Sequence, residues 1–338
     1  MSASIILGIE SSCDDTSAAI ISGSKILSNI AANQAIHNEY GGVVPELASR
    51  AHQQNIIPVV EKAFSKANIQ QNDICAIGFT RGPGLLGSLL VGTSFAKSLA
   101  MSLDVPLIEV NHLQAHILAH FIDDANPIPP TFPFLCLTVS GGHTMIVLVK
   151  DYFEMEIIGK TIDDAAGEAF DKIGKIFDLD YPAGPIIDKL AKEGNPDAFQ
   201  FNKPRMENYD YSFSGIKTSV LYYIQKEVRK NPDFIKENLN DLCASVQRSI
   251  IEILMNKLEK ASVDLNIKDV AIAGGVSANS ALRKAMEINQ KKFGWNIFIP
   301  KFEYTTDNAA MIAIVAKLKY ERGEFTDIRT TATAKYDL

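Results

Sequence analysis

One order of elements occurs twice in this chain, and that duplication limits the fold more than any single motif does. In the first copy, the apolar run Ser4 to Ile9 leads into the polar turn Glu10-Ser-Ser-Cys-Asp-Asp-Thr16. Apolar residues resume at Ala18 to Ile21, and a third run follows from Lys25 to Ile30 after Ser22-Gly-Ser24. Short apolar runs bounded by Ser, Gly and Asp read as strands joined by tight turns. A helix opens at Pro45, where the missing proline N–H costs nothing, and reaches about Lys66. The strand Ile74 to Thr80 ends in Arg81-Gly-Pro-Gly-Leu-Leu-Gly87, and a helix to about Leu103 and a strand from Pro106 to Val110 follow.

The second copy begins with a strand, Phe134 to Val139, its turn Ser140-Gly-Gly-His143, and a returning strand, Thr144 to Val149. A third strand, Met155 to Gly159, precedes a helix from Asp163 to Phe177. A helical stretch from about Gly215 to Lys260 separates this from a strand, Val270 to Ala273, that ends in Gly274-Gly-Val-Ser-Ala-Asn279. A helix, a strand from Asn296 to Ile299 and a last helix, Asp307 to Arg322, complete the pattern. Two α/β copies are expected, with both hairpin turns and both Gly-rich strand ends facing a crevice beyond the strand ends. The competing reading is two unrelated α/β domains.

Length agrees with this, since 338 residues correspond to about two domains. The formal net charge of −7 provides no global field for a polynucleotide, so such a partner needs a local basic patch or a helper subunit. Lys203, Arg205 and Lys217 form only a modest cluster, and Arg81 and Lys97 border a Gly-rich loop. The four cysteines lie more than sixty positions apart, so no thiolate metal site or CxxC motif is expected. The first residues lack the basic start and apolar core of a secretory signal, and a cytoplasmic location is expected.

Three histidines, His112, His116 and His120, recur at a spacing of four. On a helix that spacing stacks side chains on one face, and neutral imidazoles one turn apart suit Zn²⁺ or Fe²⁺. A partly exposed helix face or a satisfied core pair is the alternative. Spacing alone nominates His120 as the third ligand. The zinc-hydrolase motif H-E-x-x-H needs a Glu after the first His. Here that position is Leu113, which argues against peptide hydrolysis.

The turn Ser140-Gly-Gly-His143 offers backbone N–H groups unobstructed by side chains, either an anion cradle or an ordinary hairpin turn. Gly274 to Asn279 is a nucleotide seat at a helix N-terminus or simply a helix capped by Ser277 or Asn279. Asp164, Glu168 and Asp171 fall at i, i+4 and i+7 and would form one acidic face. Tyr209 to Thr218 interleaves aromatics with hydroxyls, as a base-stacking loop or as a loop packed by its own rings.

The set Gly8-Ile-Glu-Ser-Ser-Cys-Asp-Asp-Thr-Ser17, His112-x-x-x-His116, Ser140-Gly-Gly-His-Thr144, Asp163 to Lys172, Tyr181-Pro-Ala-Gly-Pro185, Ser212-Phe-Ser-Gly-Ile-Lys-Thr218, Gly274 to Asn279 and Thr306-Asp-Asn-Ala-Ala-Met311 closely resembles the TsaD family. The resemblance spans nearly the whole chain; Ala183 stands where that family often has Gly. It implies two ribonuclease-H-like lobes of the actin/Hsp70 ATPase superfamily with an interlobe cleft. Residues 1–111 with the helix at about 307–325 would form the first lobe, and 112–306 the second, with a helical insertion. It implies transfer of a threonylcarbamoyl group from threonylcarbamoyl-AMP to N6 of adenosine 37 in tRNAs reading ANN codons, with AMP released. His112, His116 and Asp307 would bind Fe²⁺ or, alternatively, Zn²⁺, with Asp307 displacing His120 as third ligand. Thr138, Val139, Ser140, Gly141 and Gly142 would hold the substrate, and Asp171, Gly184, Asp188 and Asn279 the nucleoside end of the adenylate. Glu10 or Asp14 would take the amine proton. TsaB-like and TsaE-like subunits are the implied partners. The rival classes are a metalloendopeptidase, disfavoured by Leu113, and a non-catalytic nucleotide-binding or chaperone-like module.

Overall fold

Strand β1, Ile5–Glu10, is apolar at almost every position because both of its faces are covered. It pairs antiparallel with β2, Thr16–Ser22, which pairs with β3, Lys25–Ala32. On its other edge it pairs parallel with β4, Ala76–Gly82, and β4 pairs with β5, Leu107–Asn111. The computed structural model describes residues 4–34, 37, 40–204 and 206–338; Arg205 of the expected basic cluster lies outside them. The first sheet has the order β3-β2-β1-β4-β5. One of its faces carries the long helix α1, Pro45–Ala67, and α2, Leu86–Leu103. By length and composition α2 could cross a membrane, but Ser88, Leu89, Gly92, Thr93, Ala96 and Ala100 are buried where it packs on α1 and β4.

The other face carries α9, Ala309–Glu321, whose Ala309 to Ala316 are all fully buried. Glycine lets it come close. A Cβ on Gly8 would lie 2.6 Å from the Ala309 carbonyl oxygen, and one on Gly78 2.4 Å from the Ala316 Cβ. The Ala309 N–H also donates to Ser17 Oγ at 2.9 Å. The start of α9, and Asp307 just before it, is therefore fixed against β1 and β2.

The second sheet has strands β6, Phe134–Val139; β7, Thr144–Asp151; β8, Glu154–Lys160; β9, Asp269–Ala273; and β10, Asn296–Phe298. Its order, β10-β9-β6-β7-β8, is that of the first sheet read from the other edge, with the same antiparallel and parallel pairings. The duplicated plan is thus present, strand for strand. Helices α4, Ala166–Ile176; α5, Ala183–Ala191; α6, Ser214–Val228; α7, Phe234–Leu265; and α8, Ser280–Phe293, build the second unit's core with it. The expected helical stretch 215–260 is two helices broken between Val228 and Phe234, with a further kink at Asn238.

The two compact units are residues up to Pro129 with Pro300–Leu338, and Pro130–Ile299. These boundaries differ from those expected at 111/112 and 306/307. The short helix α3, His112–Leu118, packs on α9 and β5 and so belongs with the first sheet.

Candidate functional site: a two-histidine, one-carboxylate cluster

Helix α3 starts where β5 stops because Asn111 is its N-cap. The Asn111 Oδ1 accepts from the Leu113 N–H at 2.8 Å and the Gln114 N–H at 3.2 Å. His112 and His116 then lie one turn apart, their rings edge to face with centroids 4.7 Å apart. Asp307 arrives from the start of α9, with its Oδ1 3.2 Å from His116 Nε2 and 3.4 Å from His112 Nε2. Ligand atoms of the three residues lie within 4.8 Å of one another, and both histidines are buried.

The polar environment prepares His112. Its Nδ1–H donates to Glu10 Oε2 at 3.0 Å, and Ser12 Oγ lies 3.2 Å from the same nitrogen. A carboxylate on one imidazole nitrogen fixes the tautomer and turns the other lone pair toward a cation. Glu10 is 0% exposed and fully engaged: Oε1 accepts from the Ser12 N–H, and Oε2 from Thr80 Oγ1 at 2.7 Å as well as from His112. His116 Nδ1 is buried with no hydrogen-bond partner among the described residues. Two imidazoles, a carboxylate, an oriented lone pair and a buried orphan nitrogen together fit a divalent cation such as Fe²⁺ or Zn²⁺.

The charges of the cluster are strongly coupled to one another. Burial pushes His112 down, but the carboxylates of Asp307 and Glu10 outweigh it and hold the imidazole well above its usual range. Burial would raise Asp307, yet His112 and His116 hold it far below. Glu10 is also held low, by the charge and hydrogen bond of His112 working against burial. Asp15 differs: burial, then the charges of Asp14, Asp307 and Glu10, push it up to about 7. Sequence reasoning passed over Asp15, because nothing in the chain order says that three other carboxylates converge on it.

His120 stands outside the cluster, which corrects the expectation from spacing. Helix α3 ends at Leu118, and Ala119–Phe121 tighten into a 3₁₀ turn, so the α-helical register is lost before His120. The His120 Nδ1 is instead 3.0 Å from Asn126 Nδ2.

In the second unit, Ser140, Gly141 and Gly142 form the β6–β7 turn. The Ser140 Oγ accepts from the Gly142 N–H at 3.3 Å and the His143 N–H at 3.0 Å. A Cβ on Gly141 or Gly142 would meet nothing within 4 Å, so the turn is open. Thr138 and Val139 are strand residues with buried side chains. Asp171 Oδ1 accepts from the Ala183 N–H at 2.8 Å, and burial raises its carboxyl above the usual range. Asp188 Oδ1 accepts from Ser280 Oγ at 2.7 Å. Asn279, rather than Ser277, caps α8 through the Ala281 and Leu282 N–H groups, and donates to Gln247 at 2.7 Å. Gly184, in the first turn of α5, has only Phe170 Cβ near its own Cβ position, at 3.9 Å.

Three further expectations change. Helix α4 starts at Ala166, not Asp163; the Asp163 carboxylate accepts from Ser212, Phe213 and Ser214 and holds the start of α6. The acidic face is partly offset, because Lys172 pairs with Asp164 and Glu168. Tyr211 and Phe213 are fully buried in the core, which takes the 209–218 loop out of use as a base-stacking platform.

Residues 25–314 match the family model described as TsaD, tRNA N6-adenosine threonylcarbamoyltransferase. The chain is 83% identical, over all of its length and 99% of the relative's, to the tRNA N6-adenosine threonylcarbamoyltransferase of Riemerella anatipestifer. It is 60% identical to that of Porphyromonas gingivalis, over 96% of each chain. In fold it resembles component A of the Acidaminococcus fermentans (R)-2-hydroxyglutaryl-CoA dehydratase, with a TM-score of 0.54, 15% identity and coverage of 94% and 99% of the two chains. The ROK hexokinase of Thermus thermophilus matches with a TM-score of 0.51, 14% identity and coverage of 94% and 100%. The chain shares its fold with these two proteins. With a family match over most of its length and relatives so similar from end to end, the chain belongs to the TsaD family of tRNA N6-adenosine threonylcarbamoyltransferases.

Proposed function

We propose that this acyltransferase moves the threonylcarbamoyl group of threonylcarbamoyl-AMP onto N6 of adenosine 37 in tRNAs reading ANN codons. The adenine amine attacks the carbamoyl carbon, the bond from that carbon to the phosphate oxygen breaks, and AMP leaves with the electron pair. His112, His116 and Asp307 hold a divalent cation, Fe²⁺ or alternatively Zn²⁺. Such an ion, when bound, supplies Lewis acidity toward oxygens of an acyl phosphate.

The chain's own residues divide the remaining work. Glu10 and Ser12 hold His112 in one tautomer and orientation. The open Ser140-Gly-Gly turn receives the anionic part of the substrate, and Gly184 leaves room for the plane of a base. Asp171 and Asp188, each held through its Oδ1 by the protein, contact the ribose hydroxyls. Asp14, in the β1–β2 turn, takes the amine proton. Glu10, whose two oxygens are already engaged, is better suited to positioning than to proton transfer.

TsaB-like and TsaE-like partners would complete a tRNA-binding surface that a chain of net charge −7 does not provide alone. A cytoplasmic location follows from that substrate.

The observation that carries this reading is the carboxylate-oriented His112/His116/Asp307 set, with both histidines buried, in a chain of this family. The test is reconstitution with the partner subunits, tRNA and threonylcarbamoyl-AMP, followed by mass spectrometry of the nucleosides. Wild type should form N6-threonylcarbamoyladenosine and the His112→Ala/His116→Ala double variant should not. Full activity in a double variant shown to be metal-free would overturn the mechanism.

A further inference from the structure

Segment 326–337 is laid across the ends of β4 and β5. Thr326 begins it: its N–H donates to the Leu107 carbonyl at 2.8 Å, and its Oγ1 accepts from the Glu109 N–H at 2.9 Å. The Arg81 Nε donates to the Thr331 carbonyl at 3.2 Å, and the Thr333 N–H returns to the Arg81 carbonyl at 2.9 Å. Contact there is so close that a Cβ on Gly82 would lie 2.0 Å from the Thr333 carbonyl oxygen. Further on, the Gly84 N–H donates to the Ala334 carbonyl at 3.2 Å. The Arg81 guanidinium lies 4.8 Å over the Tyr336 ring, whose hydroxyl donates to Glu109 at 3.1 Å.

The segment's last contacts are made with Asn111. The Asn111 Nδ2 donates to the Asp337 carbonyl at 2.8 Å and lies 3.4 Å from that of Tyr336. The same amide's oxygen is the N-cap acceptor for α3. One buried side chain therefore spends its donors on segment 336–337 and its acceptor on the helix that carries both histidines. A second route reaches the same place: Gly84, held by Ala334, abuts Ser12, whose Oγ touches His112.

We propose that Asn111 is a positioning residue, through which segment 334–337 sets the orientation of His112 and His116 toward a bound cation. The inference rests on the metal reading of His112, His116 and Asp307. A planar amide held at both ends has little rotational freedom, and this one caps the turn that begins with His112.

The test uses Co²⁺ as the probe, with its visible absorption reporting ligand geometry and chelator competition reporting affinity. Asn111→Asp keeps the cap acceptor and loses the donor to 336–337. Deletion of residues 335–338 removes the acceptors and leaves the cap. Each should weaken Co²⁺ binding about 10-fold and alter the absorption spectrum, as expected for loss of an outer-shell constraint. Arg329→Ala, on the same segment but with its guanidinium paired to Asp327, should leave both unchanged. Wild-type affinity and spectrum in both variants would overturn the inference while leaving the metal site standing. Failure of wild type itself to bind Co²⁺ would overturn the metal reading, and this inference with it.

Discussion

The β1–β2 turn and the β6–β7 turn occupy the same place in two copies of one sheet, yet they are built for different ends. The first is packed shut. Ser11 and Ser12 are buried, a Cβ on Gly84 would sit 2.4 Å from the Ser12 carbonyl oxygen, and Glu10 at its root is tied to His112. The second is open at Gly141 and Gly142, although a Cβ on Gly167 beneath it would lie 2.6 Å from the Ser140 carbonyl oxygen. The difference teaches how a duplicated hairpin diverges. One turn has its side-chain and backbone groups committed to presenting ligand groups, while the other leaves open space over Gly141 and Gly142. A metal site needs fixed donors; an anion cradle needs access.

The largest expected effect breaks the first turn's side of this contrast. Asp307→Ala or His112→Ala should lower metal affinity at least about 100-fold, beyond the loss typical of outer-shell partners, measured by competition with a chelator. Next comes Glu10→Gln, which should cost metal affinity about 10-fold, because the amide orients His112 less firmly. If turnover falls while metal affinity holds, Glu10 is a proton acceptor and the positioning role is wrong.

Glycine substitutions sharpen the contrast further. Gly84→Ala and Gly167→Ala should each destabilise by about 1–3 kcal/mol through backbone clash. Gly141→Ala should stay within about 0.5 kcal/mol of wild type in chemical denaturation, while raising KM for the adenylate.

The smallest expected effect is a pH dependence confined to the metal-free protein. His112 has a raised pKa when folded, so its contribution to stability is fully present below its ordinary value of about 6.5 and fades as pH rises through the raised value. Glu10 and Asp307 are lowered, so their contributions are present above about 4 and lost as pH falls. Thermal melts of the stripped wild type should therefore decline on the alkaline side. Melts of His112→Asn should decline less.

Much of this was legible in the chain, and each failure has a particular cause. The strands of both copies declare themselves through apolar runs ended by Gly or polar turns, and the His pair through its spacing. Asp307 could not be read from spacing, since 191 positions separate it from His116; only the docking of α9 on Gly8 and Gly78 brings it there. His120 misled because sequence periodicity assumes that a helix continues, and α3 stops at Leu118. Asp163 misled for the opposite reason: an acid before a helix satisfies the dipole rule, but here it serves α6 instead of α4. The role of Glu10 depends on contacts 70 and 102 positions away, to Thr80 and His112. Local patterns carry no trace of those.

The most direct test of the account is a crystal structure of the protein grown with Fe²⁺ or Zn²⁺, with anomalous data collected at the metal edge. The account predicts one strong peak ligated by His112, His116 and Asp307, with Glu10 on the Nδ1 side of His112 and His120 uninvolved. A peak ligated by His120, or no peak at this cluster in a protein that forms N6-threonylcarbamoyladenosine, would contradict it.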